Sequence, residues 1–261
     1  MQDPLTKDRH FPDRFRLYSG QAYDSMRLRG IEEARPWNLT SIVVSFLRPT
    51  DRVLDIGAGT AAKLVALSKH AREIVALEPN EDMRGSAIRN LAAQKISNIQ
   101  VTQGVAAKLP YSEGEFDVVT SMVAPYEVAE IFRVLKPGGI AIVERVGDRD
   151  KWSIKLAFGE DSDGPRGYMS HLAEGELVSR CKAEFEAYFC DVDARNGFWN
   201  TYYLRLEDII YLCSHTPTVR DFDPVRDRES LERISRELTT DRGIVTQQNR
   251  VLIVAHKPTL D

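Results

Sequence analysis

Arg52-Val53-Leu54-Asp55-Ile56-Gly57-Ala58-Gly59-Thr60 is the stretch on which the fold turns. A short apolar run halts at two glycines, and Leu64, Val65 and Leu67 then recur at helical spacing. The pattern reads as strand, tight turn, helix. A second apolar run, Glu73-Ile74-Val75-Ala76-Leu77-Glu78, closes on a carboxylate 21 residues past Gly57. Glycines without Cβ atoms allow a ligand to approach the strand end, and the helix start behind them offers free N–H groups.

Working outward, Asn80 is placed to cap a helix running to about residue 95, with Glu81 and Asp82 in its positively polarised first turn. Ile99–Thr102, Phe116–Thr120 and Ile140–Glu144 are strand-like, and a helix around 125–135 separates the last two. Upstream, residues 36–48 carry apolar side chains at helical spacing behind a proline. Strands alternating with helices predict right-handed βαβ units and a parallel sheet with helices on both faces. Beyond 147 the pattern loosens into a Gly- and Asp-rich stretch, helices near 172–185, 205–214 and 228–239, an aromatic strand-like run to Tyr203 and a last strand at Val251–Ala255. The expected organisation is one domain over 1–261: an arm and helix to residue 50, a ligand-binding core over 51–146, and a substrate-cover region with the terminal strands over 147–261.

Composition limits the function classes. The 261 residues are 43% hydrophobic and 28% charged, which suits a folded globular chain. The net charge of −4 does not suit a protein that binds chiefly by neutralising phosphates. Cys181, Cys190 and Cys213 form no C-x-x-C pair, so reduced thiols and no metal centre are expected. The polar start, the lack of any apolar run near 20 residues and the reduced thiols predict a cytoplasmic protein with neither leader nor membrane insertion.

The glycines fit G-x-G-x-x-A with Ala62 third, a loop used for dinucleotides and for S-adenosylmethionine alike. Asp55, two residues before Gly57, separates the two. A pyrophosphate is repelled by a nearby carboxylate, whereas an amino group and a sulfonium are attracted. Downstream come Gly104-Val105-Ala106-Ala107-Lys108-Leu109-Pro110-Tyr111, then Phe116-Asp117-Val118-Val119, then Arg133-Val134-Leu135-Lys136-Pro137-Gly138-Gly139, taken as a helix end, a tight turn and a strand start. With VLDIGAGT and ALEPN, these motifs in this order over residues 51–146 resemble the class I S-adenosylmethionine-dependent methyltransferases, in the broad group of ubiquinone-, menaquinone- and natural-product-type enzymes. The resemblance implies a Rossmann-like fold with a seven-stranded, mostly parallel sheet whose last strand is antiparallel.

It also implies roles. Gly57, Ala58 and Gly59 leave room for the methionine part of S-adenosylmethionine, and Asp55 sits near its amino group. Glu78 holds the ribose hydroxyls, Pro79 or Met83 flanks the adenine, and Ser121 and Met122 line the channel beside the methyl group. Val105 and Ala106 stand where relatives commonly carry Asp-Ala, and Val105 cannot accept the adenine hydrogen bond with its side chain. Methyl transfer needs a base only when the acceptor must lose a proton. His171, His215 and Tyr126 are the candidates, with Glu144 in reach. Ala124-Pro125-Tyr126 lacks the features of base-amino methyltransferases, so nucleic acid is disfavoured. A small organic acceptor is expected, covered by the aromatic run Asn196–Tyr203 and by an N-terminal arm with Tyr18 and Tyr23. An RNA methyltransferase, a degenerate regulatory protein of the same fold and a nicotinamide-dependent oxidoreductase are the alternatives.

Overall fold

The computed structural model describes residue 25, residues 28–161 and residues 164–259. In chain order its elements are β1 (Gly30–Glu32), α1 (Leu39–Phe46), β2 (Arg52–Ile56), α2 (Leu64–Leu67), β3 (Glu73–Leu77), α3 (Glu81–Ala93), β4 (Ile99–Thr102), β5 (Phe116–Met122), α4 (Val128–Val134) and β6 (Leu135–Val146). There follow α5 (Trp152–Ala157), β7 (Glu160–Asp161), β8 (Gly164–Pro165), α6 (Glu176–Glu186), β9 (Cys190–Tyr203), α7 (Leu206–His215), α8 (Arg228–Glu237), β10 (Thr239–Thr240) and β11 (Gly243–His256). The chain falls into two compact units. The first comprises the described parts of Met1–Pro36, Val146–Leu177 and Asn196–Arg250, the second those of Trp37–Arg145, Val178–Arg195 and Val251–Asp261.

The second unit holds the alternating strands and helices. Its strand order is β4-β3-β2-β5-β6-β11-β9, counting the stretches of β9 and β11 that belong to it. This is the expected seven-stranded arrangement. β2 pairs parallel with β3 and β5, β3 with β4, and β5 with β6. β11 runs against β6, since the amide of Gly138 donates to the Lys257 carbonyl and the Lys257 amide to that of Gly139. Both sheet faces are dry, as parallel strands require. Val53, Ile74, Val118 and Ile142 pack with Val43 of α1, Leu64 and Leu67 of α2, and Ala87 and Leu91 of α3. The alternate positions Leu54, Val75, Val119 and Ala141 are equally inaccessible.

The helix after the glycine loop is a single turn of four residues, over the apolar positions that recur at helical spacing. Two local expectations change. The Lys136-Pro137-Gly138-Gly139 turn is a bulge inside β6: Phe116 pairs with Leu135 but Val118 with Ile140, and Gly138 takes φ 74° to accommodate the extra residues. The last strand begins eight residues before Val251.

The first unit has its own core. Ile154 of α5, Ile209 and Leu212 of α7, and Leu231 and Ile234 of α8 meet around Phe158 and Val219. β1, in a stretch read as an irregular arm, pairs antiparallel with β9 from Gly30↔Tyr203 to Glu32↔Thr201. Tyr18 and Tyr23 lie outside the described residues. Among the described residues no helix is long and apolar enough to cross a membrane.

Candidate functional site

All eleven residues expected to hold the cofactor belong to the second unit, and most gather at the carboxyl ends of β2, β3 and β5. The loop after β2 is tied to β3: the amides of Gly57 and Ala58 both donate to the Leu77 carbonyl, at 2.8 and 3.0 Å. Gly57 has φ 75°, and a Cβ there would stand 2.2 Å from the Cβ of Ala124, so only glycine fits. Gly59, at φ 57°, faces open space. Ala61 follows at φ 56° and Val123, just past β5, at φ 53°. Left-handed backbone costs such residues about 1–2 kcal/mol each, and strain of this kind concentrates at ligand-binding loops.

Glu78 is buried behind the loop and locked by backbone. One carboxylate oxygen accepts from the Gly59 amide at 2.8 Å, the other from the Asn80 amide at 2.9 Å. Burial pushes its pKa up, opposed by those two hydrogen bonds. Asn80 caps α3 as expected, accepting from the Met83 amide at 3.0 Å. Asn90, further along α3, donates to the Thr60 carbonyl at 3.0 Å and pins the loop from behind.

Asp55 is buried at the end of β2, accepting a 2.5 Å hydrogen bond from the Thr120 hydroxyl on β5. Desolvation pushes its pKa up from 3.8 to about 6, with Thr120 and Lys63 opposing and the charge of Glu78 adding to the rise. Sequence reasoning missed Lys63. Its ammonium contributes to the field on Asp55 and donates to the Met122 sulfur at 2.9 Å. Its only sequence signal was a cation one turn past the glycine loop. Ser121, paired in register with Ile56, is fully buried and its hydroxyl has no partner. A buried hydroxyl without a protein partner beside the glycine loop is free to bond a polar ligand.

The remaining candidates scatter. Pro79 is exposed and Met83 buried in the first turn of α3. Val105 is half-exposed, bridged only to Lys108, and Ala106 partly buried. Tyr126 is buried against the Phe185 ring, and its hydroxyl accepts from Arg145 at 3.3 Å. Burial holds that phenol well above its ordinary pKa, a setting for packing rather than proton removal. Glu144 is buried and accepts from the Trp37 indole at 2.7 Å. His171 is exposed and His215 stacks on Tyr211 at the end of α7, both in the first unit. There Trp199, Tyr202 and Tyr203 are packed side chains of β9 rather than an open wall. Among the described residues no group of three His, Cys, Asp or Glu stands ready to hold a metal ion.

Known proteins resemble this chain over part of its length. Residues 53–139 match the methyltransferase domain family. The demethylmenaquinone methyltransferase of Staphylococcus carnosus is 32% identical over 131 residues, 46% of this chain and 54% of that one. The ubiquinone/menaquinone biosynthesis C-methyltransferase of Ectopseudomonas mendocina is 33% identical over 120 residues, 42% of this chain and 47% of that one. The chain thus spans about half the length of these curated relatives. In fold, the YcgJ protein of Bacillus subtilis superposes with a TM-score of 0.63 at 20% identity, covering 85% of this chain and 99% of that one.

Proposed function

We propose, for a chain whose residues 53–139 match the methyltransferase domain family, that the protein transfers a methyl group from S-adenosylmethionine to a small organic acceptor. The observation that carries this reading is the Glu78 carboxylate held by the Gly59 and Asn80 amides, with buried Asp55 one strand away. Two backbone donors fix Glu78 in place, and its remaining lone pairs are available to the ribose hydroxyls. Asp55, ionised above about pH 6, is the counter-charge for the ligand's amino group. The Ser121 hydroxyl and the open space at Gly59 fit a bound ligand.

When bound, S-adenosylmethionine supplies an activated methyl group on a sulfonium. This chain's own contribution is to bind it, orient it and exclude water, through the Asp55 and Glu78 anchors and the apolar sheet beneath them. Displacement at a sulfonium needs a general base only for an acceptor that must lose a proton. The matched domain ends at residue 139, before most of the chain that would choose an acceptor.

Calorimetry on the purified protein with S-adenosylmethionine, S-adenosylhomocysteine and NADH tests the reading. The first two are expected to bind in the micromolar range, about −8 kcal/mol at 1 μM, and NADH not at all. Failure of both adenosyl ligands to bind would overturn the proposal. Strongly salt-dependent binding of RNA would move the acceptor from a small molecule to RNA.

A further inference from the structure

Arg145 follows Glu144 on β6, and Glu144 lies opposite Met122 at the end of β5. Arg145 is partly buried. It donates to the Tyr126 hydroxyl at 3.3 Å and reaches the Cys181 sulfur at 3.6 Å, with the Tyr126 ring centre 5.8 Å away. Arg52, Arg133, Arg166 and Arg250 each reach a carboxylate. Arg145 does not: among the described residues no carboxylate lies within ion-pair distance of it. Glu184 acts electrostatically on Tyr126 and Cys181.

A guanidinium presents five N–H donors in a planar fork, and a phenol and a thiol match it poorly. A charge withdrawn from water is costly unless a counter-charge reaches it. The location ties this deficit to the site already described. Ala124 packs against Gly57 of the cofactor loop, and Tyr126 lies two residues further along. The path from Gly57 through Ala124 and Tyr126 to Arg145 therefore stays within the second unit, at the carboxyl ends of β2, β5 and β6. Among the described residues Arg145 is the cation hydrogen-bonded to Tyr126 and Cys181. One planar monocation matches a carboxylate, which carries one charge and two coplanar oxygens; a phosphate dianion calls for more positive charge.

We propose that Arg145 recognises the acceptor, and that the acceptor is a small molecule bearing a carboxylate. This deepens the methyl-transfer reading and rests on it for what the bound acid is used for. Binding is measured on the 261-residue protein saturated with S-adenosylhomocysteine, using benzoate, 4-hydroxybenzoate and cinnamate, each beside its primary amide. At least one acid is expected to bind tenfold or more tightly than its amide. Arg145→Gln is expected to abolish that preference and Arg145→Lys to keep part of it, with S-adenosylhomocysteine binding unchanged in both. The wild-type comparison of acid with amide stands even if a variant fails to fold. No acid preferred over its amide, or a preference that survives Arg145→Gln, overturns the inference. Loss of S-adenosylhomocysteine binding by the wild type sinks the methyl-transfer reading instead, so the two failures are distinct.

Discussion

Replacing Asp55 by asparagine separates what this carboxylate does for binding from what it does to stability. The side chain is buried, takes one hydrogen bond from Thr120, and has its pKa raised from 3.8 to about 6. A carboxyl displaced upward by that much destabilises the fold by about 3 kcal/mol once ionised. The sign follows from proton binding. Between pH 3.8 and about 6 the folded state holds the proton more tightly than the unfolded chain, so stability rises as pH falls through that window. Above it the full cost applies, and below it both states are protonated and the cost vanishes. From pH 8 to pH 5 the wild type therefore regains about 1.4 kcal/mol through this group alone. The amide oxygen introduced by Asp55→Asn still accepts from Thr120 and carries no charge. Urea unfolding should accordingly find Asp55→Asn more stable than wild type by up to about 3 kcal/mol at pH 8, with the gap narrowing by about 1.4 kcal/mol at pH 5. Calorimetry should find S-adenosylhomocysteine binding weaker by about 1.5–3 kcal/mol, the worth of a charge-assisted hydrogen bond. A variant no more stable than wild type at pH 8, or with the same pH dependence, would refute the reasoning that Asp55 is held ionised at a cost for the sake of a ligand.

Three further sets of substitutions probe the same architecture. Glu78→Ala leaves the Gly59 and Asn80 amides without their acceptor; adenosyl-ligand affinity should fall by about 1–3 kcal/mol, and unchanged titration curves would mean the ribose contact is misassigned. Gly57→Ala meets Ala124 at 2.2 Å as well as an unfavourable φ, so its unfolding free energy should drop by about 3–5 kcal/mol. Gly59→Ala, facing open space, should lose only about 1–2 kcal/mol yet bind the adenosyl ligand poorly; equal losses for the two would contradict the loop geometry. Trp37→Phe removes the donor to buried Glu144, at an expected cost of about 1–3 kcal/mol in urea titration. Adding Glu144→Gln should recover part of that loss, and no recovery would show that the indole contributes packing alone.

Where an element's signal is local, the residues declared it. The alternation from β2 to β6 is legible because parallel strands buried on both faces are continuous apolar runs. Asn80 was legible as a cap because its side chain bonds three residues ahead. β11 was half-read because Gln248 and Asn249 look like loop. They are buried strand residues, and the Asn249 side chain is satisfied by Asn196, Gly197 and the Arg149 amide. The single-turn α2 was legible because Leu64, Val65 and Leu67 recur at helical spacing and pack on the sheet.

The sequence by itself thus determined the βαβ order, the glycine loop after β2 and the placing of Asp55 and Glu78 at strand ends, because periodicity and turn chemistry act over a few residues. Only the tertiary structure decided what those groups experience. Thr120 reaches Asp55 across 65 residues and Trp37 reaches Glu144 across 107. Arg145 is left with a phenol and a thiol where Arg52, Arg133, Arg166 and Arg250 have carboxylates. Burial and partnership set charge, affinity and strain, and both arise from contacts between segments whose separation in sequence carries no periodic signal.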